Sequence, residues 1–205
     1  MMKKTLVQIL FIAAFLSNCL LLSACTSADE YPFSPASLEK RFGDSMEEVV
    51  NELDIDLEAV EVKDVGDNQV DILIRDADMA ENQKAIGLTM SFYNETLVYL
   101  RYVSDDPGFI YDCAAELGNT YDEKYGEDLT DPTRSNSRTK ADRDDFVGGD
   151  AEFVGQWKAD NEKISETVFD GEETKLLLRF DSIKQSDGEP GASLAISFVP
   201  MSEMW

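Results

Sequence analysis

Three groups of residues in this chain could do chemistry: its thiols, its clustered carboxylates, and a set of Tyr and Arg side chains on strand-like runs. Histidine is absent altogether. Its absence excludes a Ser-His-Asp triad, a Cys-His pair and any imidazole metal site. Catalysis could rest only on carboxylates, Lys, Tyr or a lone Ser. Glycoside hydrolysis asks for two carboxyls ~5–10 Å apart, but no motif selects a pair from the 42 acidic residues. No catalytic residue is assigned, and the chain reads as non-enzymatic. A carboxylate-based envelope hydrolase stands third behind two binding roles.

The thiols are better placed. Lys3 and Lys4 open the chain, Thr5 to Leu22 is an almost unbroken apolar run, and Leu22-Ser23-Ala24-Cys25 closes it. This is the order of a secretory signal with small residues at the cut. An uncleaved membrane span is the competing reading, since the run approaches the ~17–25 residues needed to cross a bilayer. Gln8, Ser17, Asn18 and the position of Cys25 favour cleavage. The tetrad resembles the lipobox of bacterial lipoproteins. That resemblance implies that the bond before Cys25 is cut and that its sulfur carries a diacylglycerol. A palmitate-type acyl anchor on the extracytoplasmic side of a bacterial membrane follows. Ser17-Asn18-Cys19 is a poor alternative, because Asn18 is not small and apolar. With Cys25 committed to lipid, only Cys113 remains, and no internal disulfide is expected. Cys113 lies between Ile110 and Leu117 on an apolar stripe and reads as an inert core thiol.

Charge narrows the partners. The formal net charge is −24, and it becomes two units more negative once Lys3 and Lys4 are removed. A protein this acidic has no basic footprint for nucleic acid and is repelled by anionic lipid. The membrane contact must therefore come from the N-terminal lipid, for which two acyl chains hold stably where one is marginal. Dispersed surface carboxylates also keep a protein soluble and monomeric.

Two local clusters remain. Asp142, Asp144, Asp145 and Asp150, beside Gly148-Gly149, could surround a calcium ion. Their spacing is not that of an EF-hand loop, and Lys140 and Arg143 sit among them. A solvated loop is the preferred reading; no metal or other cofactor is assigned. Arg134, Arg138, Lys140 and Arg143 form a basic island that could touch anionic lipid or wall polymer, or fold back on the protein's own acids. The second reading is preferred.

The elements that would position these groups follow from periodicity. Residues 1–24 are the signal, and 25–36 are a lipidated tether with Pro32 and Pro35. Asp44 or Ser45 can cap a helix, with Glu47 or Glu48 closing a capping box. Met46, Val49, Val50 and Leu53 form its apolar face. Four strand-like runs follow, with Val60 and Val62; Val70, Ile72 and Ile74; Ile86, Leu88, Met90 and Phe92; and Val98, Leu100 and Tyr102 facing the core. Turns fall at Gly66-Asp67-Asn68 and Asn94-Glu95. Asp106 and Pro107 then begin a second helix, which ends near Gly126. A polar insertion at 127–150 is long enough to be mobile or functional. Four further runs are expected, at Phe153 to Lys158, Ile164 to Phe169, Leu176 to Phe180 and Leu194 to Phe198. Asp170-Gly171 and Asp187-Gly188 punctuate them.

The expected fold is thus α+β: two tandem α-β-β-β-β units, 37–104 and 105–205, with antiparallel sheets and helices packed on one face. Alternation sends Arg75, Tyr93, Leu97, Tyr99 and Arg101, and in the second half Leu177 and Arg179, to the side away from the core. Tyr and Arg are enriched at interface centres, so these seven residues are the candidate partner-binding set.

A family resemblance supports this. Phe42-Gly43-Asp44-Ser45-Met46-Glu47-Glu48-Val49-Val50 looks like the start of small bacterial lipoprotein domains of the SmpA/OmlA kind. Ser91-Phe92-Tyr93-Asn94-Glu95-Thr96-Leu97-Val98 is similar to the hairpin that follows there. The tandem order resembles the β-lactamase-inhibitor-protein-like architecture. The family's usual Gly-Pro after the first helix is replaced here by Leu53-Asp54-Ile55-Asp56. The resemblance implies a non-enzymatic binding or assembly role, with an envelope protein or polymer as partner and the chain itself a monomer. The alternative is a calcium-dependent or small-ligand sensor lipoprotein using the acidic loop.

Overall fold

The computed structural model describes residues 31–149, 151–184 and 189–203. The signal, Cys25, Asp150 and the Asp187-Gly188 turn lie outside them. Among the described residues no helix is long and apolar enough to cross a membrane.

The first half forms as its periodicity dictates. Ser34 caps a short helix α1 (Pro35–Leu38), followed by a 3₁₀ turn at Glu39–Arg41. Helix α2 (Met46–Glu52) starts with the expected capping box. The Ser45 hydroxyl accepts from the Glu48 N–H, and Glu48 Oε2 accepts from the Ser45 N–H at 2.7 Å. Gly43, at φ +93°, lets the chain turn into this cap and donates to the Leu97 carbonyl. A Cβ there would stand 3.1 Å from the Asn161 side chain. Strands β1 (Glu61–Gly66), β2 (Gln69–Ala80), β3 (Gln83–Tyr93) and β4 (Thr96–Ser104) form an antiparallel meander. Asp67, Asn68, Asn94 and Glu95 supply the positive-φ turns, where short polar side chains are tolerated best.

Helix α3 (Pro107–Tyr125) begins at the Asp106 cap and stops at Gly126, φ +90°. The second half then departs from four strands. Helix α4 (Arg143–Gly148) lies inside the insertion, strand β5 (Glu152–Lys158) follows, and the Ile164 to Phe169 run forms helix α5 (Glu162–Val168) rather than a strand. The cause is Asn161, whose side-chain oxygen accepts from the Ile164 N–H at 3.1 Å. That cap starts a helix from a six-residue pattern that also alternates. Strands β6 (Thr174–Lys184) and β7 (Pro190–Pro200) complete the chain.

The strands make one seven-stranded antiparallel sheet in the order β1-β2-β3-β4-β7-β6-β5, joined at β4 and β7. The expected pair of four-strand units is replaced by this single continuous sheet. The described helices pack on one face. Phe42 packs edge-on against Phe198, Tyr121 against Trp157, and Phe146 against Phe153 and Phe180. One apolar core runs from Leu38 and Val49 through Leu88, Leu100 and Tyr102 to Leu178 and Ile196.

Some expected core positions move outward. Strand β1 is exposed along its whole length, and Val62 is 44 % exposed, because this edge strand lies beyond the helix layer. Ile86 is 40 % exposed. Opposite it Asp76 takes φ +54°, and the inward set changes phase to Ala77 and Met79 on β2 and Ala85 on β3. Cys113 is buried as expected, and it is disulfide-bonded. That bond belongs to the unprocessed chain, whereas the expectation of no internal disulfide concerns the chain after residues 1–24 are removed and Cys25 is acylated.

The insertion is built into the fold. Leu129 donates to the Gln156 carbonyl at 2.7 Å, Asp128 Oδ1 accepts from the Gln156 N–H, and Val154 donates to the Asn136 carbonyl at 2.8 Å. Residues 128–137 thereby cover the outer edge of β5. Arg138 pins the strap: its guanidinium pairs with Asp122 and Asp128 and stacks 5.0 Å from the Trp157 ring, while the Trp157 indole N–H donates to Asp122 at 2.9 Å. Arg143 pairs with Asp112 at 2.9 Å. These two arginines of the basic island fold back on the protein's own acids.

Candidate functional site

The face of the sheet opposite the helices is ordered by the register. Asp71, Ser91, Tyr99, Ser197, Leu177 and Gln156 form one row across it. Leu73, Thr89, Arg101, Ala195, Arg179 and Val154 form the next, and Arg75, Gly87, Val103, Ser193, Asp181 and Glu152 a third. Of the seven candidate residues, six share this face: Arg75, Tyr93, Tyr99, Arg101, Leu177 and Arg179.

Leu97 does not. It is fully buried, paired with Phe92 on the helix side. The register shifts between Ser91, which pairs with Tyr99, and Phe92, which pairs with Leu97. Val98 is the extra residue of this bulge, and an extra residue reverses the facing of everything before it.

The six are not equivalent. Tyr93, Tyr99 and Arg101 converge on an open depression of about 470 Å³, completed by Gln69, Asp71, Thr89, Ser91 and Val98. Arg179 lies two strands away and pairs with Glu152 at 3.1 Å. Arg75 stands at the margin, 3.8 Å from Glu61. Leu177 is 7 % exposed and fills the sheet surface between Ser197 and Gln156. Arg101 is exposed and has no ion pair among the described residues, so its guanidinium donors face solvent. Tyr99 is half-buried. Burial raises its phenol above the ordinary value, the Arg101 and Arg179 guanidiniums oppose the rise, and Asp181 and Asp71 add to it. It remains a neutral hydroxyl at neutral pH, able to donate and accept. The arrangement offers two aromatic rings, an unpaired guanidinium and small hydroxyls on a shallow surface. It suits recognition of another surface better than enclosure of a substrate.

In the other candidate cluster, one carboxylate serves as a helix cap. Asp142 caps α4, accepting from the Asp144 and Asp145 N–H groups. Among the described residues no group of three or more acids or cysteines is placed to hold a metal ion. A larger hollow of about 650 Å³ lies between the β1–β2 and β3–β4 turns, lined mainly by turn residues from Asp64 to Val70 with Asn94 and Glu95.

No family model matches the chain, and no curated protein or solved structure resembles it closely enough to count as a match.

Proposed function

We propose that this chain is a lipid-anchored bacterial envelope protein that binds a protein or polymer partner through the face of its sheet opposite the described helices, without catalysis. The observation that supports this reading best is the grouping of Tyr93, Tyr99 and Arg101 around one depression on the face opposite the described helices. Aromatic rings and Arg are the side chains that most often dominate interface energy. The lipobox-like Leu22-Ser23-Ala24-Cys25 supports the anchor, and the likeness of Phe42 to Val50 to SmpA/OmlA-type domains supports an assembly role. The likeness extends to the proposal that the molecule is two related halves joined at β4 and β7, each led by a helix. Fold analogy does not carry function by itself, so the proposal rests on the face.

The test compares three forms of the full-length protein as bait in detergent-solubilised envelope: wild type, Tyr99→Ala with Arg101→Ala, and Lys158→Ala as a control outside the depression. A partner retained by wild type and control but lost by the double variant supports the reading. A partner retained equally by all three overturns it.

A further inference from the structure

A smaller hollow opens on the helix side, between the Glu39–Arg41 turn, the C-terminal end of α3 and strands β6 and β7. Its volume is about 190 Å³, below the ~300–1,000 Å³ of drug-sized sites. Phe42, Tyr121, Tyr125 and Phe198 form the aromatic part of its wall. Phe42 meets Phe198 at 5.2 Å, and Tyr121 meets Tyr125 at 6.0 Å.

Its polar atoms are not satisfied. Tyr121 is 1 % exposed and lines the hollow, and its hydroxyl makes no hydrogen bond of ordinary geometry among the described residues, with the Glu39 side chain beside it as acceptor. Glu39 Oε2, also in the lining, is buried and unpartnered. Behind them the Tyr102 hydroxyl, on β4, is fully buried and likewise unpaired. Burial raises both phenols well above their ordinary value, and the Glu39 carboxylate adds to each rise. Both therefore remain neutral hydroxyls beside that carboxylate.

Unpaired buried oxygens are costly. A carboxylate oxygen only accepts, and a phenol can accept as well as donate. A primary ammonium presents three donors and a positive charge, which suits the Glu39 and Tyr121 oxygens that line the hollow. Aromatic walls add cation–π attraction. On the rim, Lys40 and Lys124 supply the complementary sign, with Lys124 held 4.9 Å over the Tyr125 ring, and Asp160 adds one further acid. Asn161, on the rim, is committed to the Phe42 carbonyl and the Ile164 N–H.

We infer that this hollow binds a small zwitterionic amine of amino-acid size, with its ammonium on Glu39 and Tyr121 and its carboxylate toward Lys124 and Lys40. The site is separate from the sheet face and does not depend on it.

The test is calorimetric titration of the detergent-solubilised full chain with L-leucine, 3-methylbutylamine and 4-methylpentanoate. L-leucine is expected to bind at one site, the amine more weakly, and the carboxylate alone not at all. Glu39→Gln is expected to weaken L-leucine about tenfold or more, the scale of a lost hydrogen bond to a charged group. Tyr121→Phe keeps the ring and removes an unpartnered oxygen, so it retains the fold and remains informative if Glu39→Gln does not. It is expected to weaken L-leucine about threefold or more. Absence of L-leucine and amine binding at millimolar concentration overturns the inference. So does 4-methylpentanoate binding as tightly as L-leucine, or an unchanged affinity in Tyr121→Phe.

Discussion

Leu97 and Tyr99, two residues apart on one strand, lie on opposite faces of the sheet: Leu97 is fully buried against the helix layer, and Tyr99 lines the open depression. The bulge at Val98 separates them. Leu97→Ala is expected to cost ~2–5 kcal/mol, as for other large-to-small core changes. Tyr99→Ala is expected to cost ~1 kcal/mol or less. Urea denaturation of the two variants checks the order, and a reversed order would place the core on the other face.

The capping box of α2 makes an acid-sensitive contribution. Hydrogen bonds from the Ser45 N–H and hydroxyl, and then the Lys163 ammonium, lower the Glu48 pKa from 4.5 to about 2. The folded value is depressed, so this stabilisation is fully present above pH 4.5 and is lost as pH falls through about 2. Glu48→Gln is expected to flatten that part of the stability–pH curve and leave its neutral limb parallel to wild type. An unchanged acid limb would mean that the cap does not hold the charge.

Gly155 is fixed by its neighbours. A Cβ there would stand 2.5 Å from the Trp157 ring and 2.7 Å from Arg138 Cδ. Neither can yield easily, because Trp157 is bonded to Asp122 and Arg138 is held by Asp122 and Asp128. Gly155→Ala is expected to destabilise by ~1–3 kcal/mol, as overpacking does. Arg138→Ala in the same background should recover part of that loss, because it removes one of the two clashes.

The Cys113 disulfide bears directly on the proposed anchor. If residues 1–24 are removed and the Cys25 sulfur is acylated, the chain holds no second cysteine for Cys113 to join. Membrane-extracted protein is then expected to show no reactive thiol when native, because Cys113 is buried, and one after denaturation without reductant. In protein that has lost residues 1–24, a thiol that appears only after reduction would show that Cys113 remains in a disulfide and would count against the thioether on Cys25.

Legibility in the sequence followed the range of the physics involved. The Ser45 cap, the Asp106-Pro107 start, the Gly126 stop and the turns at Asn68 and Asn94 depend on a few adjacent residues, and all were readable. The phase of β4 was not. Val98, Leu100 and Tyr102 alternate without interruption, and only pairing with β3 reveals that Val98 is extra. Ile164 to Phe169 satisfied a strand pattern by chance of spacing, although Asn161 three residues earlier was a readable cap. Arg138 on Asp122 and Trp157, and the convergence of Glu39 with Tyr121, join residues far apart in the chain, beyond the reach of local pattern. The candidate face was recoverable because its strands, the bulge aside, keep period two.

The two rims of the sheet differ in a way that limits self-association. Residues 128–137 bond to Val154 and Gln156 at the middle of β5, whereas β1 has no strand beyond it among the described residues. A sheet open on both sides can recruit copies indefinitely, and unpaired edges are where such growth begins. Here recruitment by strand addition could use β1 alone. Two molecules meeting there, as in a two-fold pair, would consume the free rim of each, and the process would end at that pair instead of continuing into a fibre.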